Sequence, residues 1–105
     1  MIIYNVTIKV DFSIQTDWLN WMQEKQIPAI LDTGCFTQAH ILQLLEPNDP
    51  DGVTYAVQYY AESKELYNQY IQLSSRALSQ KSFNKWGDKL IEFPTVMQLL
   101  IKCAK

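Results

Sequence analysis

Residues 2–11, Ile2-Ile3-Tyr4-Asn5-Val6-Thr7-Ile8-Lys9-Val10-Asp11, run straight into Phe12-Ser13-Ile14-Gln15-Thr16-Asp17-Trp18-Leu19-Asn20-Trp21-Met22, and the hydrophobic period changes at the join. In the first stretch Ile2, Tyr4, Val6, Ile8 and Val10 share one parity. Asn5, Thr7, Lys9 and Asp11 hold the other, with Ile3 the exception. Alternation with β-branched residues on one side predicts a strand with one well-buried face. In the second stretch Ile14, Trp18, Trp21 and Met22 recur three and four apart, while Asp17, Asn20, Gln23 and Glu24 face away. That spacing predicts an amphipathic helix from about Ser13, with Ser13 or Thr16 as its N-cap. A strand handing over directly to a helix opens a βαβ unit, whose second strand must lie further on.

Pro28 lacks an amide hydrogen and disfavours helical geometry in its predecessor, so it ends or kinks the helix near Gln26. A further helical turn through Ala29, Ile30 and Leu31 follows, and Gly34 supplies a left-handed cap. Cys35 to Leu45 reads as a second strand with apolar residues on both parities, as in a strand covered on both sides. The run Glu46-Pro47-Asn48-Asp49-Pro50-Asp51-Gly52 is the strongest turn signal in the chain. After it, Val53, Tyr55, Val57 and Tyr59 alternate with Thr54, Ala56, Gln58 and Tyr60, which makes a hairpin. Ser63 caps a second long helix with the stripe Leu66, Tyr67, Tyr70, Ile71, Leu73, Ala77 and Leu78. Lys81 to Trp86 adds a short helical piece closed by Gly87. Leu90 to Ile101 is the last strand, with Ile91, Phe93, Met97 and Leu99 on one parity, and Pro94 confines it to an edge or a bulge.

The order is β-α-β-β-α-β, the ferredoxin-like arrangement in the α+β class: a four-stranded antiparallel sheet with two helices on one face. Right-handed crossovers put the first and third strands in the centre and the second and fourth at the edges. Residues 1–105 make one such domain. Two helices cover only one side of this sheet. The other side offers Ile3, Asn5, Thr7, Thr54, Ala56, Gln58 and Tyr60, together with apolar residues of the second strand. That face is too apolar for comfortable exposure. Packing two such faces together gives a homodimer with two-fold symmetry, a dimeric α/β barrel with a partly polar interior; the plainer alternative is a monomer with a wet sheet face.

The balance of 9 Lys+Arg against 11 Asp+Glu leaves a net charge of −2, which argues against a nucleic-acid partner. With 48% hydrophobic and 19% charged residues the chain has the means to build a core. No apolar run is long enough to span a bilayer, and the start Met1-Ile2-Ile3-Tyr4-Asn5 does not read as a signal peptide. Two widely spaced cysteines, Cys35 and Cys103, point to a reducing cytoplasm.

The chemistry-bearing residues are few. His40, the only histidine, lies between Ala39 and Ile41 on the second strand. It is the candidate catalytic base, and the simpler account is a surface or interface histidine bonded to a neighbour. One His and two distant Cys match no metal spacing, so no metal and no cofactor is expected. Asp49-Pro50-Asp51-Gly52 lacks the spaced ligands and closing Glu of a calcium loop and is read as turn chemistry. Cys35 has no adjoining base and reads as a small buried filler. Ser74-Ser75 lacks the context of a nucleophile elbow. Lys81, Lys85 and Lys89 suit a solvated face near a helix C-terminus. The aromatics are more suggestive: Tyr4, Trp18, Trp21, Tyr55, Tyr59, Tyr67 and Tyr70 all project toward the helix–sheet layer. They form either a core with internal hydrogen bonds or the lining of a pocket, with Trp21, Tyr59 and Tyr4 as candidate ligand-binding residues.

Several short motifs in order carry a resemblance: Met1-Ile2-Ile3-Tyr4-Asn5-Val6-Thr7, Trp18-Leu19-Asn20-Trp21-Met22, Ile27-Pro28, Thr33-Gly34-x-Phe36, Thr54-Tyr55-Ala56-Val57-Gln58-Tyr59 and Trp86-Gly87-Asp88-Lys89. The chain resembles a family of roughly hundred-residue bacterial proteins classed as a domain of unknown function. It departs at Phe93-Pro94-Thr95, where the family usually shows a Phe-Arg-Thr-like triplet. The resemblance implies a ferredoxin-like fold related to the dimeric α/β barrels, and no established activity or catalytic residue. The wider barrel group includes haem-degrading monooxygenases, cofactor-free oxygenases and lactone isomerases; the haem branch is a poor match, since its haem-binding histidine lies on a helix. Fold alone assigns no reaction. Two functions are therefore expected in competition. One is a homodimer that binds a small apolar or aromatic molecule or a protein partner. The other is a cofactor-independent monooxygenase or isomerase with His40 as base and Tyr59 or Trp21 lining its pocket.

Overall fold

The computed structural model describes residues 1–105. Strand β1 (Ile2–Asp11) leads through a 3-10 turn, Phe12–Ile14, into helix α1 (Gln15–Trp21). A π-helical turn, Met22–Gln26, joins α1 to α2 (Ile27–Leu31). Then come β2 (Gln38–Gln43), β3 (Gly52–Ala61), α3 (Lys64–Leu73), α4 (Ser75–Trp86) and β4 (Leu90–Gln98). The sheet order is β2-β3-β1-β4, with every neighbouring pair antiparallel. The ferredoxin-like expectation is met, with β1 and β3 central and the Pro94-bearing strand at an edge.

The helix-side parity forms the core. Val10, Trp18, Val57 and Ala61 have no measurable exposure, and Tyr55 and Tyr59 have almost none. The Trp18 and Tyr55 rings lie 5.0 Å apart. At the other end Tyr4, Phe36, Tyr59 and Tyr70 pack with centroids 4.9–6.1 Å apart. The hairpin begins where Gly52 passes so close to the Val10 carbonyl that a side chain has no room. The whole chain is a slab of 37 × 37 × 20 Å.

Several local expectations are refined. The first helical run is capped by Asp11, whose Oδ1 accepts from the Ser13 amide at 2.8 Å, rather than by Ser13 or Thr16. The run is distorted near Gln26 and not ended there, one of the two outcomes expected at Pro28. The helix widens ahead of it, the Ile27 amide bonding back to the Met22 carbonyl five residues earlier, and continues to Leu31. Strand β2 is shorter than Cys35–Leu45, because Cys35 and Phe36 are buried from the preceding loop and so imitated strand residues. Nor is it covered on both sides, since Leu42 is exposed. Finally, the second long helix breaks at Ser74 (φ −128°, ψ −33°). Ile71 and Leu73, on the last turn before the break, lie in water, and the stripe is incomplete. Strand β4 also stops at Gln98, after which residues 99–105 form no regular element.

Candidate functional site

Register decides which side chains meet on each face. Because opposed residues in an antiparallel pair share a face, the pairings Ile8↔Glu92, Tyr4↔Val96 and Tyr4↔Tyr59 place Glu92, Tyr4 and Tyr59 on the helix side. The pairings His40↔Gln58, Asn5↔Gln58 and Asn5↔Thr95 place those four residues on the open side. His40 is thus separated by the sheet from Tyr4 and Tyr59, and the structure does not bring the three together.

On the helix side a cavity of about 40 Å³ lies between the sheet and both helical runs. Tyr4 and Tyr59 line it, as do Tyr70, Gln26, Ser82 and Glu92. Trp21 does not; its ring meets the edge of Trp86 at 5.8 Å instead. Gln26 is buried by the π-helical turn and donates from Nε2 to the Leu78 carbonyl at 2.9 Å. Its Oε1 is buried with no donor. Tyr55 bonds to Gln15 and Tyr60 to Gln58, whereas the hydroxyls of Tyr4, Tyr59 and Tyr70 engage no protein group. Ser82 Oγ donates to Glu92 Oε1 at 3.5 Å.

The electrostatics follow from the walls. Burial, with smaller repulsions from Tyr67 and Glu92, pushes the Tyr4 hydroxyl up to about 12. Burial likewise raises Tyr59 and Tyr70, so all three remain neutral donors. Glu92 stands on the rim, open to water along β4, yet the protein around its carboxyl raises its pKa; the Ser82 hydrogen bond offsets part of that shift. No basic residue lines the cavity. A carboxylate, three tyrosines with free hydroxyls and Gln26, whose amide oxygen is unpartnered, therefore line a space large enough for a few small atoms. Glu92 was not singled out from the sequence. The signal available was an acid on the inward parity of β4, opposite Ile8, but reading it requires the β1–β4 register.

On the open side the polar residues form one continuous line across all four strands. Tyr60 gives its hydroxyl proton to Gln58 Oε1 at 3.0 Å, so its 3.3 Å contact with His40 Nδ1 makes that nitrogen the donor. Gln58 Nε2 donates to Asn5 Oδ1 at 3.3 Å, and Asn5 Nδ2 donates to Thr7 and Thr95 hydroxyls at 3.2 and 3.3 Å. Apolar side chains flank this line: Leu42 on β2, Ile3 on β1, and Ile91, Phe93 and Met97 on β4. Phe93 is 62% exposed. At one end of the same face Lys9 reaches Asp49 at 2.8 Å. His40 is therefore held by a neighbour, as the simpler account expected. No cluster of metal-ligating side chains occurs.

The fold and these two faces define a small ferredoxin-like α+β protein with a helix-side pocket and an uncovered sheet face. The chain belongs to a family described as a domain of unknown function, DUF4286, whose model matches residues 1–100. No curated protein matches the sequence. Among solved structures it is similar to HapK from Hahella chejuensis, at 13% identity and a TM-score of 0.70, covering 100% of this chain and 98% of that one. It is also similar to an ethyl tert-butyl ether D (EthD) family protein from Bacillus halodurans C-125. There the identity is 9% and the TM-score 0.69, covering 95% of this chain and 100% of that one. At such identities the likeness is one of fold. No helix is long and apolar enough to cross a membrane.

Proposed function

We propose that the protein is a homodimer, joined through the open faces of two sheets, that binds a small molecule in the helix-side pocket of each copy. The observation that carries the binding reading is Gln26, which lines the cavity with its amide oxygen buried and without a donor, beside three tyrosines whose hydroxyls are also free. An unmet buried acceptor costs roughly 1–3 kcal/mol, which a donor on a ligand would recover. The dimer reading rests on the exposed Leu42, Ile91, Phe93 and Met97 of one face, continued by Leu99, Leu100 and Ile101 of the tail. Ordinary strand spacing and rise give such a face about 600 Å² per copy, near the lower end of stable interfaces before the tail is added. The polar line from His40 to Thr95 satisfies most of its own hydrogen bonds, so it can be covered at modest cost.

The volume of the pocket shifts the expected ligand. A whole aromatic ring does not fit within 40 Å³, whereas a polar head group does. The alternative, a cofactor-independent monooxygenase or isomerase, is favoured by one observation: a carboxylate of raised pKa beside three tyrosines. In that reading Glu92 takes the role of base that His40 held in the sequence-based expectation. The free thiols Cys35 and Cys103 support a reducing compartment, the cytoplasm. Native mass spectrometry of the protein as purified from cells tests the proposal. A dimer with a reproducible added mass is expected; a bare monomer would overturn both parts.

A further inference from the structure

The cavity of 40 Å³ is the inner half of a longer site. A second cavity of about 210 Å³ lies outside it, between α4 and β4, and shares Ser79, Ser82 and Glu92 with the first. Phe83 and Leu90 give this outer part an apolar wall, and Phe83 is 65% exposed. Glu92 thus stands at the junction of a narrow polar chamber and a wider apolar vestibule. Both open on the helix side of β4, away from the face assigned to the dimer.

The lining chooses among ligand charges. No Lys, Arg or His lines either cavity, so the Glu92 carboxylate has no counter-ion there and an anionic ligand would face that carboxylate with no cation to pair with. A lone carboxylate lacks the further ligands that a metal ion needs. An ammonium group, in contrast, can give one hydrogen to Glu92 and others to the orphaned Gln26 Oε1 and a tyrosine oxygen. The rings of Tyr4, Tyr59 and Tyr70 would surround it with the electron-rich faces that favour cations. The inner volume admits such a head group and little more; the outer one admits a ring or a short alkyl chain.

We propose that the site binds a primary amine with a short apolar or aryl tail, its ammonium held between Glu92 and Gln26 and its tail lying against Phe83 and Leu90. This assignment rests on the helix-side pocket being the binding site and adds the class of molecule it takes.

The test is a titration of the full chain with 2-phenylethylammonium chloride, followed through the backbone amide resonances. 2-Phenylethanol and 3-phenylpropionate at matched ionic strength are the neutral and anionic comparisons. The ammonium is expected to shift Ser82 and Glu92 with at least about tenfold higher affinity than the alcohol, the size of one charge-assisted hydrogen bond. The propionate is expected not to bind. Glu92→Gln, on an exposed edge strand, should remove that tenfold preference while the unfolding midpoint shows the chain still folded. Equal binding of alcohol and ammonium at these residues would overturn the amine assignment and leave the pocket standing. Shifts from the ammonium that persist unchanged in Glu92→Gln would overturn it too. A site that none of the three probes perturbs would overturn the amine assignment and the pocket together.

Discussion

The two faces of strand β1 differ in how complete they are. On the helix side Ile2, Val6, Ile8 and Val10 are buried against aromatic neighbours within one copy. On the other side Asn5 and Thr7 are held by hydrogen bonds to each other and to Thr95, between apolar residues left in water. One face is finished by its own chain and the other waits for a surface. Stability should therefore be lodged in the first and assembly in the second.

Substitutions can break that division. The largest effect is expected from Trp18→Ala on the finished face. A fully buried Trp that packs on Tyr55 should cost about 3–5 kcal/mol, read as a fall in the denaturant midpoint. Next, Phe93→Glu on the unfinished face should weaken the dimer by about thirtyfold or more, as replacing a large aromatic anchor with a charge does. The same change should leave unfolding of the single chain within about 0.5 kcal/mol. Sedimentation at several concentrations separates the two quantities, and a loss of folding stability instead would erase the contrast between the faces.

The smaller effects sharpen the contrast through pH. Partial desolvation of its carboxyl by the surrounding protein lifts the folded-state pKa of Glu92 above its unfolded value, so folding favours its protonated form. Its penalty is absent in acid and sets in as the pH rises through the ordinary carboxylate value. Glu92→Gln should then raise the melting midpoint at neutral pH and change it little in acid. Asp49 has the opposite sign. The Lys9 ammonium, and then the Asp51 amide, hold its pKa down, so its contribution is present at neutral pH and lost as the pH falls through the depressed value. Asp49→Asn should be the weakest of the set, lowering the neutral-pH midpoint slightly and still less in high salt. A scan of melting midpoint against pH for both variants should show differences of opposite sign that shrink together in acid.

The finished face was the legible one. Apart from Ile3, β1 and β3 alternate because each strand has a dry side, and period two then named Val6, Tyr55, Val57 and Tyr59 as inward residues in advance. The open face was legible only as a list of its central residues. Where His40 points depends on its pairing with Gln58, and no local pattern in β2 carries that register. The second strand also misled because Cys35 and Phe36 reach the core from a loop, where burial has no fixed period. Glu92 escaped for a related reason. The apolar parity noticed in β4, Ile91, Phe93 and Met97, belongs to the open face, so Glu92 lies inward among Leu90, Pro94 and Val96, on the parity that the pattern did not mark. The pocket itself needs Gln26 turned inward by a π-helical turn, and a helical wheel of constant pitch does not show that.

The shape of the slab has a consequence for motion in solution. Its short axis is 20 Å against 37 Å for the other two. Two copies stacked by their broad faces add their short axes and approach equal sides, the roundest object two such chains can make. Two copies joined along the β4 edge would instead make a flat plate. Pairing through the open face should therefore double the mass while making rotational tumbling more nearly isotropic, so NMR relaxation or small-angle scattering would register the union as a loss of anisotropy.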